Sequence, residues 1–247
     1  MTILIYILFF TFLGSVVSLI GGILLLSKEK FALKISHYLT AFAAGALLST
    51  AFFDLLPESM ELGGEVNIFL WTLLGILAFF LLERFIHHHG HHTGENKQVV
   101  PLIVIGDSIH NFIDGVAIAA TFLISIPLGM VTALAVAAHE IPQEIGDFGL
   151  LLSKGLTRKK VLLINLYSSL TAVAGAVATF AMGERIGNLL PVLLAVTAGF
   201  FIYIALANLI PEIHNKENQK VAFWESVMLF VGVLVVYLAI SALEGSI

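Results

Sequence analysis

Cysteine is absent from this chain. That excludes disulfides and any thiolate metal site, and it leaves the redox compartment open. Charge is scarce as well: 12% of the residues are Asp, Glu, Lys or Arg, against about 25% in soluble domains. No Lys or Arg lies deep inside an apolar run. The low methionine content joins the missing cysteine in arguing against a Cu⁺ site. The short alternating strands of an outer-membrane barrel are not seen either. What is present is apolar: 59% hydrophobic residues and a mean hydropathy of +1.01. They fall in runs of about 20 residues, the length at which a helix crosses a bilayer. The expected class is an all-α membrane protein.

Eight spans fit the runs, at roughly 2–26, 35–58, 66–86, 99–124, 126–153, 159–182, 190–212 and 220–243. Residues 1–247 then form one transmembrane domain with no soluble appendage. The first run has no basic residue ahead of it and reads as a membrane helix, with a signal anchor as the alternative to it. Eleven of the 12 Lys and Arg residues lie in the loops after spans 1, 3, 5 and 7, and only Arg185 lies elsewhere. The positive-inside rule makes those loops cytoplasmic and both termini external. The His-rich segment at about 87–98, with His87, His88, His89, His91 and His92, is then cytoplasmic. The loop after span 2 carries Glu58, Glu61 and Glu65 and faces outside, either as a collector of cations or as a plain solvated turn. The plasma (inner) membrane is the expected location.

A short repeat joins spans 2 and 7. FFDLLPES and LANLIPEI align Asp54 with Asn208 and place Leu55, Pro57 and Glu58 on Leu209, Pro211 and Glu212. The two copies run in opposite directions through the membrane. This is the pattern of an inverted repeat of spans 1–3 and 6–8 around a central pair, spans 4 and 5.

That central pair holds the chemistry. Asp107, His110, Asn111 and Asp114 interrupt span 4, and His139, Glu140, Gln143, Glu144 and Asp147 interrupt span 5. Hydrocarbon does not tolerate such groups on a lipid-facing surface, so they must meet one another, water or an ion. Asp107, His110 and Asp114 share one helical stripe, with Asn111 at its border. His139, Gln143 and Asp147 form a second row, overlapped by Glu140 and Glu144. If the two ladders face each other, nitrogen and oxygen donors converge near mid-membrane; His110, Asp114, His139 and Glu140 look most like ligands, and Asp107 and Asp147, further along their helices, like outer partners or pathway groups. With no cationic side chain near them, the carboxylates require protons or a divalent metal. Imidazole and carboxylate together suit Zn²⁺, Fe²⁺ or Mn²⁺. Pro142 frees a carbonyl and can kink span 5 at the site. Gly115 and Gly146 are expected to let helices approach closely. The bland alternative is interhelical polar glue without a ligand. HEIPQ also nearly matches the zinc-protease motif H-E-x-x-H. Gln143 replaces its second histidine and Pro142 interrupts the helix it needs, so an intramembrane zinc hydrolase is the lesser reading and the chain is expected not to be an enzyme.

At HNFIDG and HEIPQEIGD the sequence resembles the ZIP (Zrt/Irt-like) family of divalent-metal transporters, closest to the LIV-1 pattern HExPHExGD. The resemblance covers essentially the whole chain. It implies uptake of Zn²⁺, or of Fe²⁺, Mn²⁺ or Cd²⁺, as cargo rather than cofactor. It implies alternating access, with spans 1, 4, 5 and 6 moving against 2, 3, 7 and 8. His110, Asp114 and His139 would line a first metal site and Asn111 and Glu140 a second, with Gln143 bordering both and Glu144 and Asp147 completing the motif. Asp54, Glu58 and Glu212 are implied as groups on the path of entry or exit. The loop histidines would serve release or sense cytoplasmic metal. The partners expected are metal ions, lipid and, as an assembly, a homodimer; no nucleic acid is expected. Gln143 departs from the pattern, which has His there, and span 6 offers Asn165, Ser168 and Ser169 but no acid.

Overall fold

In the computed structural model, residues 2–91, 96–182, 187–214 and 219–244 are described. Among them there is no strand. The helices are α1 (Thr2–Ser15), α2 (Ile20–Thr50), α3 (Leu56–Gly63), α4 (Ile68–His91), α5 (Asn96–Ile124), α6 (Ile126–Ser153), α7 (Arg158–Ala181), α8 (Leu190–Tyr203), α9 (Ile210–His214) and α10 (Gln219–Glu244). Among the described residues, four stretches are both long and apolar enough to cross a membrane: Thr2–Gly63, Arg158–Ala181, Gly187–Ile213 and Lys220–Ala242. The outer surface agrees, with Ile5, Phe9, Phe69, Leu81, Phe230 and Leu238 exposed, a distribution that water disfavours and lipid accepts. The chain is an integral membrane protein. α5 and α6, at 29 and 28 residues, extend over 40 Å at about 1.5 Å per residue.

Two details differ from the sequence reading. The connection between the first two runs is not a loop, because α2 continues through it and only Lys28 leaves helical geometry (φ −141°, ψ 62°). Its Lys and Glu residues are good helix formers and no Gly or Pro stops them. The backbone of α4 likewise continues to His91, where a loop was expected. The side chains of His87, His88, His89 and His91, and all of His92, lie outside the described residues.

Glycines set the closest crossings. A Cβ at Gly115 of α5 would overlap the Ala172 carbonyl of α7, and one at Gly175 of α7 would overlap the Phe112 carbonyl of α5. Each helix thus gives up a side chain so that the other's backbone can approach. α2 and α10 repeat the device through Gly45 on the Leu229 carbonyl and Gly232 on the Phe42 carbonyl, and α4 and α8 through Gly199 on the Thr72 carbonyl and Gly75 on the Val196 carbonyl. Gly146, expected to act in the same way, does not: it is exposed and nothing lies within 4 Å of the Cβ position.

The helices bearing the sequence repeat share more than that motif. Each passes into a π-helical segment, Ala51–Leu55 around Asp54 and Ile204–Leu209 around Asn208, just before its proline. The offset that aligns Asp54 with Asn208 also aligns Gly45 with Gly199, and both glycines sit at backbone crossings. The Ser59 hydroxyl of α3 donates to the Pro191 carbonyl at the start of α8 (2.7 Å), while α9 packs back on α2. The two segments therefore run antiparallel.

The crossing of α5 and α7 predicts that Gly115→Ala destabilises the folded protein by about 1–3 kcal/mol, as overpacking does, whereas Gly146→Ala is tolerated. Thermal unfolding followed by fluorescence-detected size exclusion compares them; equal midpoints would contradict the packing described.

Candidate metal centre

α5 and α6 form a hairpin whose link is the single extended residue Ser125 (φ −152°, ψ 152°). Its hydroxyl caps α6 by accepting from the Leu128 amide (3.3 Å), and Pro127 follows in the first turn, where a missing N–H costs nothing. A turn this short fixes the register. Residues at similar distances from Ser125 in sequence come to one level: His110 and Glu140 lie 15 residues before and after it, and Asp107 and Gln143 lie 18.

At the first level four donors converge. His110 Nε2 is 3.0 Å from His139 Nε2, 3.5 Å from Asp114 Oδ2 and 3.6 Å from Glu140 Oε1. His139 Nε2 is 3.2 Å from Asp114 Oδ2 and 3.9 Å from Glu140 Oε1. All four residues are buried, and their ligand atoms lie within 4.8 Å of one another. Asp114 Oδ2 and Glu140 Oε1 make no hydrogen bond. Zinc bonds of about 2.0–2.1 Å in a tetrahedron place donors about 3.3–3.4 Å apart, in the middle of the observed distances. The ring of His139 is held through Nδ1, which donates to the Ala135 carbonyl (3.1 Å). That bond selects the tautomer whose Nε2 lone pair faces the group.

One turn further from Ser125 lies a second polar level. Asn111 spends its amide on the Asp107 carboxylate (2.9 Å) and the Asp107 carbonyl (3.1 Å). The Asp107 carboxylate also meets Ser168 and Gln143. Glu144 Oε1 accepts from the Ser169 hydroxyl of α7 (3.4 Å). Asn111 Oδ1 and Glu144 Oε2 are buried without a hydrogen bond. Exposure along this ladder is low and uneven: His139 and Glu140 are at 0% and 1%, Asn111 and Glu144 at 0% and 2%, His110 and Asp107 at 8% and 9%, Gln143 and Asp147 are half-buried, and Gly146 is exposed.

The structure thus brings His110, Asp114, His139 and Glu140 together. Glu140 belongs with the first three rather than apart from them, and Asn111 turns toward Asp107. Asp54 is buried in its π segment, Glu58 is half-buried and Glu212 exposed, each outside the group of four. Sequence reasoning missed the work of Ser168 and Ser169, which it noted only as lacking an acid. They are the α7 partners of Asp107 and Glu144. Their signal was adjacency on a helix whose glycine, Gly175, marks the α5 crossing.

The chain matches the ZIP zinc transporter family over residues 1–101 and 97–239. It belongs to that family. It is similar to zinc transporter ZIP13 of Pongo abelii, 33% identical over 217 residues that make up 81% of this chain and 65% of the relative. It is 45% identical to zinc transporter ZIP4 of Mus musculus over 120 residues, 48% of this chain and 18% of the relative. It is 35% identical to zinc transporter ZIP10 of Homo sapiens over 147 residues, 54% of this chain and 18% of the relative. This ZIP family member therefore spans about two thirds of ZIP13 and under a fifth of the other two.

Proposed function

We propose that this protein carries Zn²⁺ across a membrane into the cytoplasm through the group formed by His110, Asp114, His139 and Glu140. The observation that carries the reading is the convergence of two imidazole nitrogens and two carboxylate oxygens within 4.8 Å of one another in a buried place. Two neutral imidazoles and two carboxylates neutralise a divalent cation, and this suits zinc in charge, donor type and geometry. The named relatives are zinc transporters, which favours transport over the intramembrane hydrolase. Fe²⁺, Mn²⁺ and Cd²⁺ are the competing cargoes. Gln143, Asn111 and Glu144 offer a second, weaker position below the first.

The eight-span arrangement belongs to the same reading. The shared π segments, prolines and glycine crossings of α2–α4 and α8–α10 support an inverted repeat around the α5–α6 pair. The charge asymmetry supports external termini and an external Ser125 turn, which puts Asp107, Gln143 and Asp147, farther from that turn, on the cytoplasmic side of the group. Asp54, Glu58 and Glu212 lie on the route to and from the group; the glycine-locked pair α5/α7 belongs to the block of spans 1, 4, 5 and 6, and the pairs α2/α10 and α4/α8 to the block of spans 2, 3, 7 and 8 that it moves against in alternating access. The surrounding bilayer is an inner or plasma membrane, and the assembly is a homodimer.

Proteoliposomes containing only this protein test the function. ⁶⁵Zn uptake is expected for the wild type and is lost, at least about 100-fold, in His139→Ala or Asp114→Ala; normal uptake by either variant contradicts the assignment. The fold-changes follow from removing a direct ligand where loss of a mere outer partner costs about 10–100-fold.

The absence of cysteine makes topology directly measurable. Single cysteines at Glu61 and Asn188 are expected to react with an impermeant maleimide from outside intact cells, and one at Lys159 only after permeabilisation. Labelling of Lys159→Cys in intact cells would overturn the orientation.

A further inference from the structure

We infer that Phe79 is a positioning residue for metal binding, holding the His110 imidazole in its metal-facing orientation, and that Phe201 does the same for His139. The inference rests on the reading that the group of four holds the metal. Phe79 lies on α4 and Phe201 on α8, and neither helix supplies a donor to the group. The Phe79 ring stands edge-on to the His110 ring, with centroids 5.6 Å apart and planes at 85°. The Phe201 ring lies 6.2 Å from the His139 ring at 62°. Both distances fall in the range where aromatic quadrupoles attract in a T-shaped arrangement. Phe79 is itself fixed, 6% exposed, between Phe200 (5.3 Å) and Tyr203 (5.5 Å) of α8.

The backbone explains why two rings meet two imidazoles at once. Gly75 lies one turn before Phe79, and Gly199 two residues before Phe201. These are the glycines that let α4 and α8 touch backbone to backbone, so the helices present both rings as one rigid surface. His139 has a second brace, the bond from Nδ1 to Ala135. His110 makes no comparable bond among the described residues, and it is the most exposed of the four donors. Its orientation therefore depends more on its aromatic neighbour.

Orientation of an imidazole affects metals unequally. Nitrogen donors favour zinc, whereas carboxylate oxygens suit Mn²⁺. A loosened His110 withdraws a nitrogen donor and leaves Asp114 and Glu140 in place. Phe79 is thus a selectivity residue that touches no metal.

The test is the dissociation constant of the purified full-length protein for Zn²⁺ and for Mn²⁺, by chelator competition. In Phe79→Leu, which keeps bulk but loses the ring, the Zn²⁺ constant is expected to rise about 10-fold, as for loss of an outer-shell partner, with a much smaller change for Mn²⁺. Phe79→Tyr is expected to restore the wild-type ratio, and Phe201→Leu to lower the Zn²⁺ preference less than Phe79→Leu does. An unchanged ratio in Phe79→Leu, whether both affinities hold or both fall in parallel, overturns the inference and leaves only a packing role. Should Phe79→Leu not fold, Phe201→Leu decides by the same ratio. Failure of the underlying reading looks different: the wild type binds no zinc, or His139→Ala binds it as the wild type does.

Discussion

Uncompensated carboxylates in a low-dielectric interior constrain this molecule more than any other feature. Asp107, Asp114, Glu140 and Glu144 are buried, and no Lys or Arg is buried among the described residues to balance them. Each carboxylate removed from water costs several kcal/mol unless something answers its charge. The protein answers partly with dipoles: Asn111 and Ser168 on Asp107, Ser169 on Glu144. At Asp114 and Glu140 it supplies two imidazole nitrogens and leaves the facing oxygens without hydrogen bonds. A site arranged in this way is stabilised by a cation, and it selects one through its donors.

The rest of the fold serves that arrangement. The one-residue turn at Ser125 sets which residues of α5 and α6 share a level. The Gly115 and Gly175 crossing brings α7 close enough for its serines to reach Asp107 and Glu144. The Gly75 and Gly199 crossing makes α4 and α8 one surface with aromatic rings aimed at the two histidines. Small residues are used where backbones must approach, since between lipid-bathed helices close packing takes the place of a hydrophobic driving force. Elsewhere the surface is large and apolar, as lipid permits.

Much of this was legible in the sequence, for physical reasons. Helix class and the central polar pair followed from composition and from the cost of charge in hydrocarbon. The i, i+4 spacing of His110 and Asp114 gave a shared face. His110, Asp114, His139 and Glu140 were legible as the residues most like ligands, but their meeting at one centre was not, because adjacent residues on a helix point about 100° apart and the family pattern implies Glu140 in a second site. Only the crossing of α5 allows both His139 and Glu140 to reach one centre. The continuous helix through Lys28 and the open surroundings of Gly146 were misread because local residue type was taken for geometry. The roles of Ser168, Ser169, Phe79 and Phe201 were hidden, since contacts between distant helices leave no periodic trace.

The central claim is that one divalent ion is held by two imidazoles and two carboxylates contributed by α5 and α6. X-ray absorption spectroscopy on the zinc-loaded protein addresses it most directly. The account predicts a four-coordinate ion with nitrogen and oxygen neighbours at about 2.0–2.1 Å and the multiple-scattering signature of two imidazole rings, reduced to one ring in His139→Ala. An all-oxygen shell, or a signature of two rings that persists in that variant, would contradict it.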